Sequence, residues 1–243
     1  MRQQIAASRV KISTLEDWHF WFAGRRNLVL SLIERFIKIS NLQTLDVGCG
    51  TGSLVEKLRE LGAKAFGVDL SVIYMISKGH RNLSEAKAEA LPFADNNFEL
   101  VTVCDVLEHL DDVSAIREIY RVMKPTGRAI ITVPAHMWLW SYRDEVAQHL
   151  RRYSVQELKT KLEDAGLKIV HLQFYQSLLL PAFIFSRLIA KLFKRTTDHE
   201  EKISPLTNYV LKLLNALELK LSNYIILPWG SSIVVIAEKQ LPH

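Results

Sequence analysis

Three glycines at alternate positions, Gly48, Gly50 and Gly52, stand in the segment TLDVGCGTGS, between a short apolar run and a helical pattern. Glycines let a ligand approach the backbone closely, and the N-terminus of the following helix offers unpaired N–H groups. The fingerprint of NAD-binding proteins would need a glycine at position 53, where this chain has serine. The spacing therefore predicts a cofactor loop of a type other than the NAD-binding one.

Two carboxylates stand where they can serve a ligand held by that loop. Asp46 comes two residues before the first glycine, and Asp69 ends the next apolar run, about twenty residues after the loop. A carboxylate at the end of a second strand can accept hydrogen bonds from both ribose hydroxyls. The combination favours a nucleoside-containing cofactor over an ordinary strand–helix turn.

A third group with reactive side chains is the segment VCDVLEHLDD, in which Asp105, Glu108 and His109 form a D-x-x-E-H pattern. An imidazole can take a proton from a substrate, and carboxylates with an imidazole can bind a divalent metal. The pattern lacks an assured fourth ligand, although His136 could approach from a later loop. The alternative for His109 is that it only packs and hydrogen-bonds at a helix start. The predicted site residues include no metal ligands.

Three stretches are candidates to line the acceptor pocket: the aromatic and basic segments 17–26 and 134–154, and the insertion before the last strand. Any single tryptophan in them is expected to pack a cap on the sheet. Together, aromatic and basic side chains suit a ligand with an apolar body and an anionic head, because Arg forks match phosphate or carboxylate oxygens. The predicted acceptor-binding residues are His19, Trp21, Arg25, Arg26, His136, Trp140, His149, Arg152 and Tyr153.

The elements that must position these residues alternate between short apolar runs, typical of buried strands, and the hydrophobic periodicity of helices. Short apolar runs predict strands at QTLDVGCG, KAFGVDL, AKAEA, FELVTVCDV, RAIITVP, LKIVHLQFY and SSIVVIAEK. Helical patterns separate most of them, at SLVEKLREL, SVIYMISKG, DDVSAIREIYRVMK and SVQELKTKLEDAG, where Ser154 and Glu157 form a capping-box signature. The alternation predicts an α/β fold with a parallel, doubly wound sheet. The chain divides into an N-terminal helical cap (1–42), a core (43–176), a helical insertion (177–227) and the last strand (228–243).

The insertion is apolar, with basic residues at intervals. Pro181, Arg187 and Lys191 interrupt its first segment, so a membrane-spanning helix is not expected. An interfacial helix, or a lid over an apolar acceptor, fits the pattern, with Arg187, Lys191, Lys194 and Arg195 meeting anionic headgroups. A plain helical hairpin that packs on the core or forms a homodimer fits it equally well.

Composition narrows the classes of function. The chain has 243 residues, 49% of them hydrophobic, and a net charge of +5. This length supports a single domain with one substantial core. Without an Arg/Lys-rich block, nucleic acid is not an expected partner. Two cysteines and a first segment without an apolar signal core favour a cytoplasmic protein, with peripheral contact to the inner membrane face through 177–227.

The glycine loop with Asp46 resembles motif I of class I S-adenosylmethionine (SAM)-dependent methyltransferases, and AKAEALPFADNNFELV and VCDVLEHLDD resemble later segments of that family. The resemblance implies a seven-stranded, mostly parallel sheet with the last strand antiparallel. It implies SAM as cofactor and adenine contacts around Ala88 and Glu89. Lys87 departs from the family, which usually has an acidic residue there. The implied cofactor-binding residues are Asp46, Gly48, Cys49, Gly50, Asp69, Leu70, Ala88, Glu89 and Asp105.

The resemblance also implies the chemistry. The segment after the fourth strand faces the methyl group in this family, which makes His109 the candidate base. Asp105, Glu108 and His109 resemble the metal-binding pattern of some quinone and small-RNA methyltransferases. DNA-base methyltransferases carry Asn/Asp-Pro-Pro-aromatic where this chain has CDVL, so an oxygen or carbon nucleophile is expected rather than a base nitrogen.

Two further segments bear on the class of acceptor. The segments HFWFAGRR and HLRRY resemble a bacterial and archaeal subfamily with many members assigned to lipid or surface-glycan pathways. A hydroxyl of a hydrophobic, lipid-linked, isoprenoid or quinone-like acceptor is the expected target. The alternatives are a methyltransferase for a soluble sugar or small metabolite, and a non-catalytic subunit with the same fold. The intact loop and Asp69 argue against the last alternative.

Overall fold

The computed structural model describes residues 15–16, 18–70, 72, 82–192 and 203–241, with backbone only at 190–192. One seven-stranded sheet has the order β3-β2-β1-β4-β5-β7-β6, and β7 runs antiparallel to both neighbours. The sheet confirms the predicted mostly parallel, doubly wound architecture. Its strands are β1 Gln43–Val47, β2 Lys64–Asp69, β3 Leu83–Glu85, β4 Phe98–Cys104, β5 Met123–Pro134, β6 Leu167–Tyr175 and β7 Ser232–Lys239.

Helices cover both faces of the sheet, and one large apolar cluster lies on each face. The described helices are α1 Phe20–Phe36, α2 Ser53–Glu60, α3 Asp112–Val122, α4 Tyr142–Val146, α5 Val155–Asp164, α6 Leu180–Leu192 and α7 Pro205–Leu221. The Ser154 hydroxyl caps α5 by accepting from the Glu157 N–H at 3.1 Å, as its position predicts. The helix predicted at 71–79 lies outside the described residues except for Val72.

The predicted boundaries of three elements are wrong. The third strand is Leu83–Glu85, immediately before the predicted AKAEA, and residues 86–90 form a turn with a bridge between Lys87 and Ala90. Leu83 supplies a large buried side chain, which the alanine-rich segment lacks. The helix predicted to reach Lys124 ends at Val122. The strand β5, predicted to begin at Arg128, begins directly after the helix, at Met123.

The insertion packs on the N-terminal helix through polar contacts. Asn208 accepts from the backbone N–H of Phe20 at 2.8 Å, and Asn215 donates to the Phe20 carbonyl at 3.1 Å. The Glu218 carboxylate accepts the N–H groups of Ser177 and Leu178 at 2.9 and 3.1 Å. These contacts fix α7 against α1 and the start of the insertion. No helix among the described residues has both the length and the apolar character needed to cross a bilayer.

Candidate active site

The glycine loop follows β1 and has the backbone shape that requires glycine. Gly48, Gly50 and Gly52 have φ angles of 75°, 56° and 83°, in the left-handed region. The N–H groups of Gly48 and Cys49 donate to the Val68 carbonyl, which fastens the loop to β2. A Cβ at position 48 would lie 2.3 Å from Cγ2 of Val106. The loop therefore lies directly against the segment that follows β4.

Both predicted cofactor carboxylates lie at this loop. The Gly50 N–H donates to Oδ2 of Asp69 at 3.0 Å, so the carboxylate lies beside the loop. Asp46 is buried and accepts from the Thr102 hydroxyl at 2.7 Å. Burial raises the pKa of Asp46 to about 7, in spite of this hydrogen bond. The close backbone and the carboxylate at the end of β2 fit an adenosyl cofactor.

The other residues of the predicted cofactor set flank the end of β2. Leu70 is exposed, Ala88 is buried and Glu89 is half-buried. The Ala86 N–H donates to the Asp69 carbonyl at 3.0 Å, which holds the 86–90 turn next to that carboxylate. Lys87, where the family usually has an acidic residue, is exposed. The turn predicted to bind adenine is therefore next to Asp69, the residue predicted to bind the ribose.

Asp105 is joined to the N-terminal helix rather than to its neighbours in the D-x-x-E-H pattern. It accepts from Arg25 Nε at 2.9 Å and from the Thr132 hydroxyl at 3.1 Å. Arg25 is buried and also donates to the Ser232 hydroxyl at 2.8 Å. Arg25, predicted to bind the acceptor, therefore ties α1 to the ends of β4 and β7.

The structure brings Glu108 and His109 together with His149 instead. Their potential ligand atoms all lie within 4.8 Å of one another. Glu108 is fully buried, and neither carboxylate oxygen has a hydrogen-bond partner among the described residues. Burial, and then the negative charge of Asp105, raises the pKa of Glu108 well above its ordinary value. His109 is exposed on the 3-10 turn Leu107–His109 that follows β4.

Asp144, which is not among the predicted site residues, organises the loop after β5. It accepts from His149 Nδ1 at 2.9 Å, from Arg152 Nε at 2.7 Å and from the Ser141 N–H at 2.8 Å. Burial opposes ionisation, but the hydrogen bonds from His149 and Arg152 lower the pKa of Asp144 to about 2. Ser141 and Asp144 form a capping box on α4. Their S-x-x-D spacing is the sequence signal that could have identified Asp144.

Four predicted acceptor-binding residues make structural or cofactor-side contacts. Tyr153 is fully buried, with its hydroxyl 2.7 Å from Asp112. His19 is buried at the start of α1, where Nδ1 accepts from the Trp21 N–H at 3.3 Å. The Trp21 ring lies beside Arg25 and Phe183. Arg26 donates to the Ser53 hydroxyl at the start of α2, next to the glycine loop.

The loop after β5 places other predicted residues together. The His136 ring stacks between Trp138 and Phe174, with centroids 5.4 Å apart in both pairs. Burial, and then the charge of Arg152, lowers the pKa of His136. Its Nε2 atom is buried without a partner among the described residues. Trp140 is half-buried on the same loop.

Arg187 corrects one part of the membrane prediction. It was expected to meet headgroups, but its Nε and Nη1 atoms are buried and have no partner within the described part of the chain. Burial, and then the charge of Arg152, lowers its pKa to about 10. Arg143, Arg152 and Asp144 all act on it electrostatically, which places it with the loop after β5. The side chains of Lys191, Lys194 and Arg195 lie outside the described residues.

Comparisons with known proteins agree with this geometry. Residues 21–172 match the family described as methyltransferase domain. A malonyl-[acyl-carrier protein] O-methyltransferase of Buchnera aphidicola is 31% identical over 173 residues, which cover 69% of this chain and 68% of that protein. A ubiquinone biosynthesis O-methyltransferase of Nitrosospira multiformis is 33% identical over 110 residues, which cover 41% of this chain and 46% of that protein.

A solved structure shows the same fold with the cofactor bound. Phosphoethanolamine N-methyltransferase 2 of Haemonchus contortus, in complex with S-adenosyl-L-methionine, aligns with a TM-score of 0.58 and 19% identity. The alignment covers 88% of this chain and 52% of that one. Together with the family match, the glycine loop and the strand order, this shows that the chain belongs to the class I SAM-dependent methyltransferases.

Proposed function

We propose that this methyltransferase acts on a hydroxyl, and less readily on a carbon, of a hydrophobic acceptor that carries an anionic group. The observation that carries the proposal is the loop at 135–153. Met137, Trp138 and Leu150 on this loop are 56%, 64% and 60% exposed. Large apolar side chains grouped at the surface favour contact with an apolar ligand or surface. A quinone-like, isoprenoid or lipid-linked molecule has the matching apolar body.

The basic residues beside this loop supply the complement to an anionic head. Arg143 and Arg152 both act electrostatically on Arg187, and Asp144 is the carboxylate that acts on it. Asp144 already accepts hydrogen bonds from His149, Arg152 and Ser141. The buried N–H groups of Arg187 therefore favour a carboxylate or phosphate, which can accept from a guanidinium fork.

The methyl-transfer step itself asks little of the protein. SAM supplies an already activated methyl group and leaves as a neutral thioether. The chain has to place the acceptor oxygen in line with the S–CH₃ bond and exclude water. His109 follows β4 on the segment that touches the glycine loop through Val106, so its imidazole is the candidate to take the hydroxyl proton. The names of the two curated relatives, both O-methyltransferases, support oxygen as the nucleophile.

The test is transfer of labelled methyl groups from SAM to pairs of acceptors that differ in one feature. A phenol with an isoprenoid tail and a carboxylate should be methylated on oxygen more efficiently than its methyl ester or a soluble sugar. Arg187→Met should raise KM for the carboxylate by about 10-fold, with the Kd for SAM unchanged, because one charge-assisted hydrogen bond is lost. Arg59→Met, which changes an exposed arginine of α2, is the matched control. Equal turnover on the soluble sugar would contradict the proposal.

A second feature supports peripheral contact with a membrane that holds such an acceptor. The outward side chains of α7 recur at helical spacing and form an apolar stripe, which we define as Leu206, Tyr209, Val210, Leu213 and Leu217. Each of them is at least 45% exposed. An apolar stripe on a surface helix is suited to the interface of a bilayer. A homodimer that covers the same stripe is the competing interpretation.

A further inference from the structure

The carboxylate of Glu108 is a buried polar group for which the described residues provide no hydrogen-bond donor. It is buried at the end of β4, and neither oxygen accepts a hydrogen bond from any described residue. Arg25 and Arg152 act on it only at a distance, since their guanidinium groups donate to Asp105 and Asp144. A carboxylate without donors is costly to bury unless a cation accompanies it.

His149 is oriented towards this carboxylate by a hydrogen bond on its other side. Nδ1 lies 2.9 Å from Oδ1 of Asp144, and Nε2 lies 4.0 Å from Oε1 of Glu108. Asp144 is itself held by Arg152 Nε and by the cap of α4. A metal-binding histidine typically donates its second ring N–H to a carboxylate, which fixes the tautomer and the ring orientation. Asp144 therefore leaves Nε2 of His149 as the lone-pair nitrogen facing Glu108.

His109 completes the group from the exposed side. Its ring centroid lies 4.8 Å from that of His149, and the ligand atoms of the three residues lie within 4.8 Å of one another. Two nitrogen or oxygen ligands of a tetrahedral zinc ion lie roughly 3.3 Å apart, because each bond is about 2.0–2.1 Å long. The 4.0 Å between His149 and Glu108 is longer than this, so both side chains have to move inwards by a fraction of an ångström to share an ion. His109 is exposed, which leaves its ring room to turn towards the other two ligands.

We propose that Glu108, His109 and His149 form a binding site for a divalent transition metal such as Zn²⁺. Two imidazoles and one carboxylate suit zinc or its neighbours better than Mg²⁺, which prefers oxygen ligands. The ligands differ from the sequence pattern, because Asp105 is engaged with Arg25 and Thr132. His149, about forty residues further along the chain, replaces it.

Three protein ligands leave one position open, as catalytic zinc sites do. This part of the inference rests on the proposed function. An acceptor hydroxyl in the open position would lose its proton to solvent more readily. Its oxygen lone pair then forms the O–CH₃ bond while the S–CH₃ electron pair stays on sulfur. With the ion bound, His109 serves the acceptor hydroxyl as a metal ligand, and the proton goes to solvent; without the ion, the same imidazole is the candidate base.

Metal binding is tested on the full chain without an affinity tag. Calorimetric titration with Zn²⁺ should show about one bound equivalent. The visible absorbance of bound Co²⁺ should show that nitrogen ligands are present. His149→Ala should weaken binding by at least about 100-fold, because losing an outer-shell partner already costs about 10–100-fold. Glu108→Gln, which keeps the side-chain shape, should weaken binding similarly. His171→Ala removes a histidine of β6 that contacts Gln173 and Phe36, and should bind as the wild type does.

The outcomes separate the site from the proposed function. Absent binding by the wild type, or equal binding by the folded His149→Ala variant, overturns the metal site. SAM binding by each variant verifies that it is folded. Chelator-treated enzyme should lose methyl transfer to a hydroxylated acceptor and regain it with Zn²⁺. If the protein binds metal but turnover is unchanged after chelation, the metal has no role in hydroxyl activation. If the protein binds metal but methylates no hydroxyl acceptor, the result counts against the proposed function alone.

Discussion

The proposed cofactor side and the proposed acceptor side of this molecule differ in how their residues are brought together. Gly50, Asp69 and Asp46 lie within 24 residues of one another in the chain, and their polar atoms are paired inside the protein. The proposed acceptor side joins Glu108, His136 and Arg187 from distant segments, and buried atoms of all three have no partner among the described residues. The proposed cofactor site therefore depends on local backbone geometry, whereas the proposed acceptor site depends on long-range packing.

The largest expected effect concerns the two buried aspartates, one on each side. Folding raises the pKa of Asp46 from 3.8 to about 7, so the free energy of unfolding falls as pH rises from about 4 to 7. Asp46→Asn should remove this loss and stabilise the SAM-free protein by about 4 kcal/mol at pH 8, with little change near pH 4. Urea unfolding of both proteins across that range measures the difference.

Asp144 is the control for that prediction because its shift has the opposite sign. Its pKa falls from 3.8 to about 2, so its contribution is present above pH 4 and lost as pH falls towards 2. Asp144→Asn should therefore destabilise the protein by about 2 kcal/mol throughout pH 5–8. If the difference in stability between Asp46→Asn and the wild type does not change with pH, folding does not raise the pKa of Asp46, and the contrast with Asp144 is wrong.

Loss of the Asp69 carboxylate should act on the cofactor side alone. Asp69→Ala is expected to cost about 2–4 kcal/mol of SAM binding, because two charge-assisted hydrogen bonds to ribose hydroxyls are removed. Isothermal calorimetry should show Kd for SAM, expected in the micromolar range for the wild type, raised by about 30- to 800-fold. Equal affinity of the variant and the wild type would separate Asp69 from the cofactor.

His109 tests the acceptor side in the same manner. His109→Ala should lower kcat by about 100-fold while the Kd for SAM stays within about twofold, because the imidazole acts on the acceptor hydroxyl, as a base or as a metal ligand, and not on the cofactor. Steady-state methylation and calorimetry on the same preparation give both values. Near-normal turnover would reduce His109 to a packing residue, and a parallel loss of SAM binding would mean that the two sides are not independent.

The smallest expected effect is association of the apolar stripe with lipid. The protein should float with anionic liposomes, and less of it should float at high salt, because screening weakens headgroup attraction. Leu213→Glu with Leu217→Glu should reduce flotation several-fold and leave SAM binding intact. Val113→Glu, at an exposed position on α3, is the matched control. No flotation together with a stable dimer in light scattering would make the stripe a subunit interface.

Features set by neighbouring residues were predictable from the sequence. The glycine loop, the cap at Ser154 and the bounds of β6 follow from local patterns, and the structure has them where the patterns place them. The short edge strand β3 was misplaced because three residues give too little periodicity. The pairing of His149 with Glu108 depends on how the loop at 135–153 folds back, and no local pattern encodes it. The inward direction of Arg187 depends in the same way on how α6 packs.

The position of β7 between β5 and β6 has a consequence for synthesis of the protein. β6 ends at Tyr175, but its sheet partner begins at Ser232, so it cannot join the sheet until that later segment has left the ribosome. At ordinary translation rates the delay is roughly 3–11 s. The half that carries the glycine loop can pair β1, β2 and β4 during this time. Nascent chains halted before residue 232 should therefore expose an unpaired edge of β5, a surface that chaperones recognise.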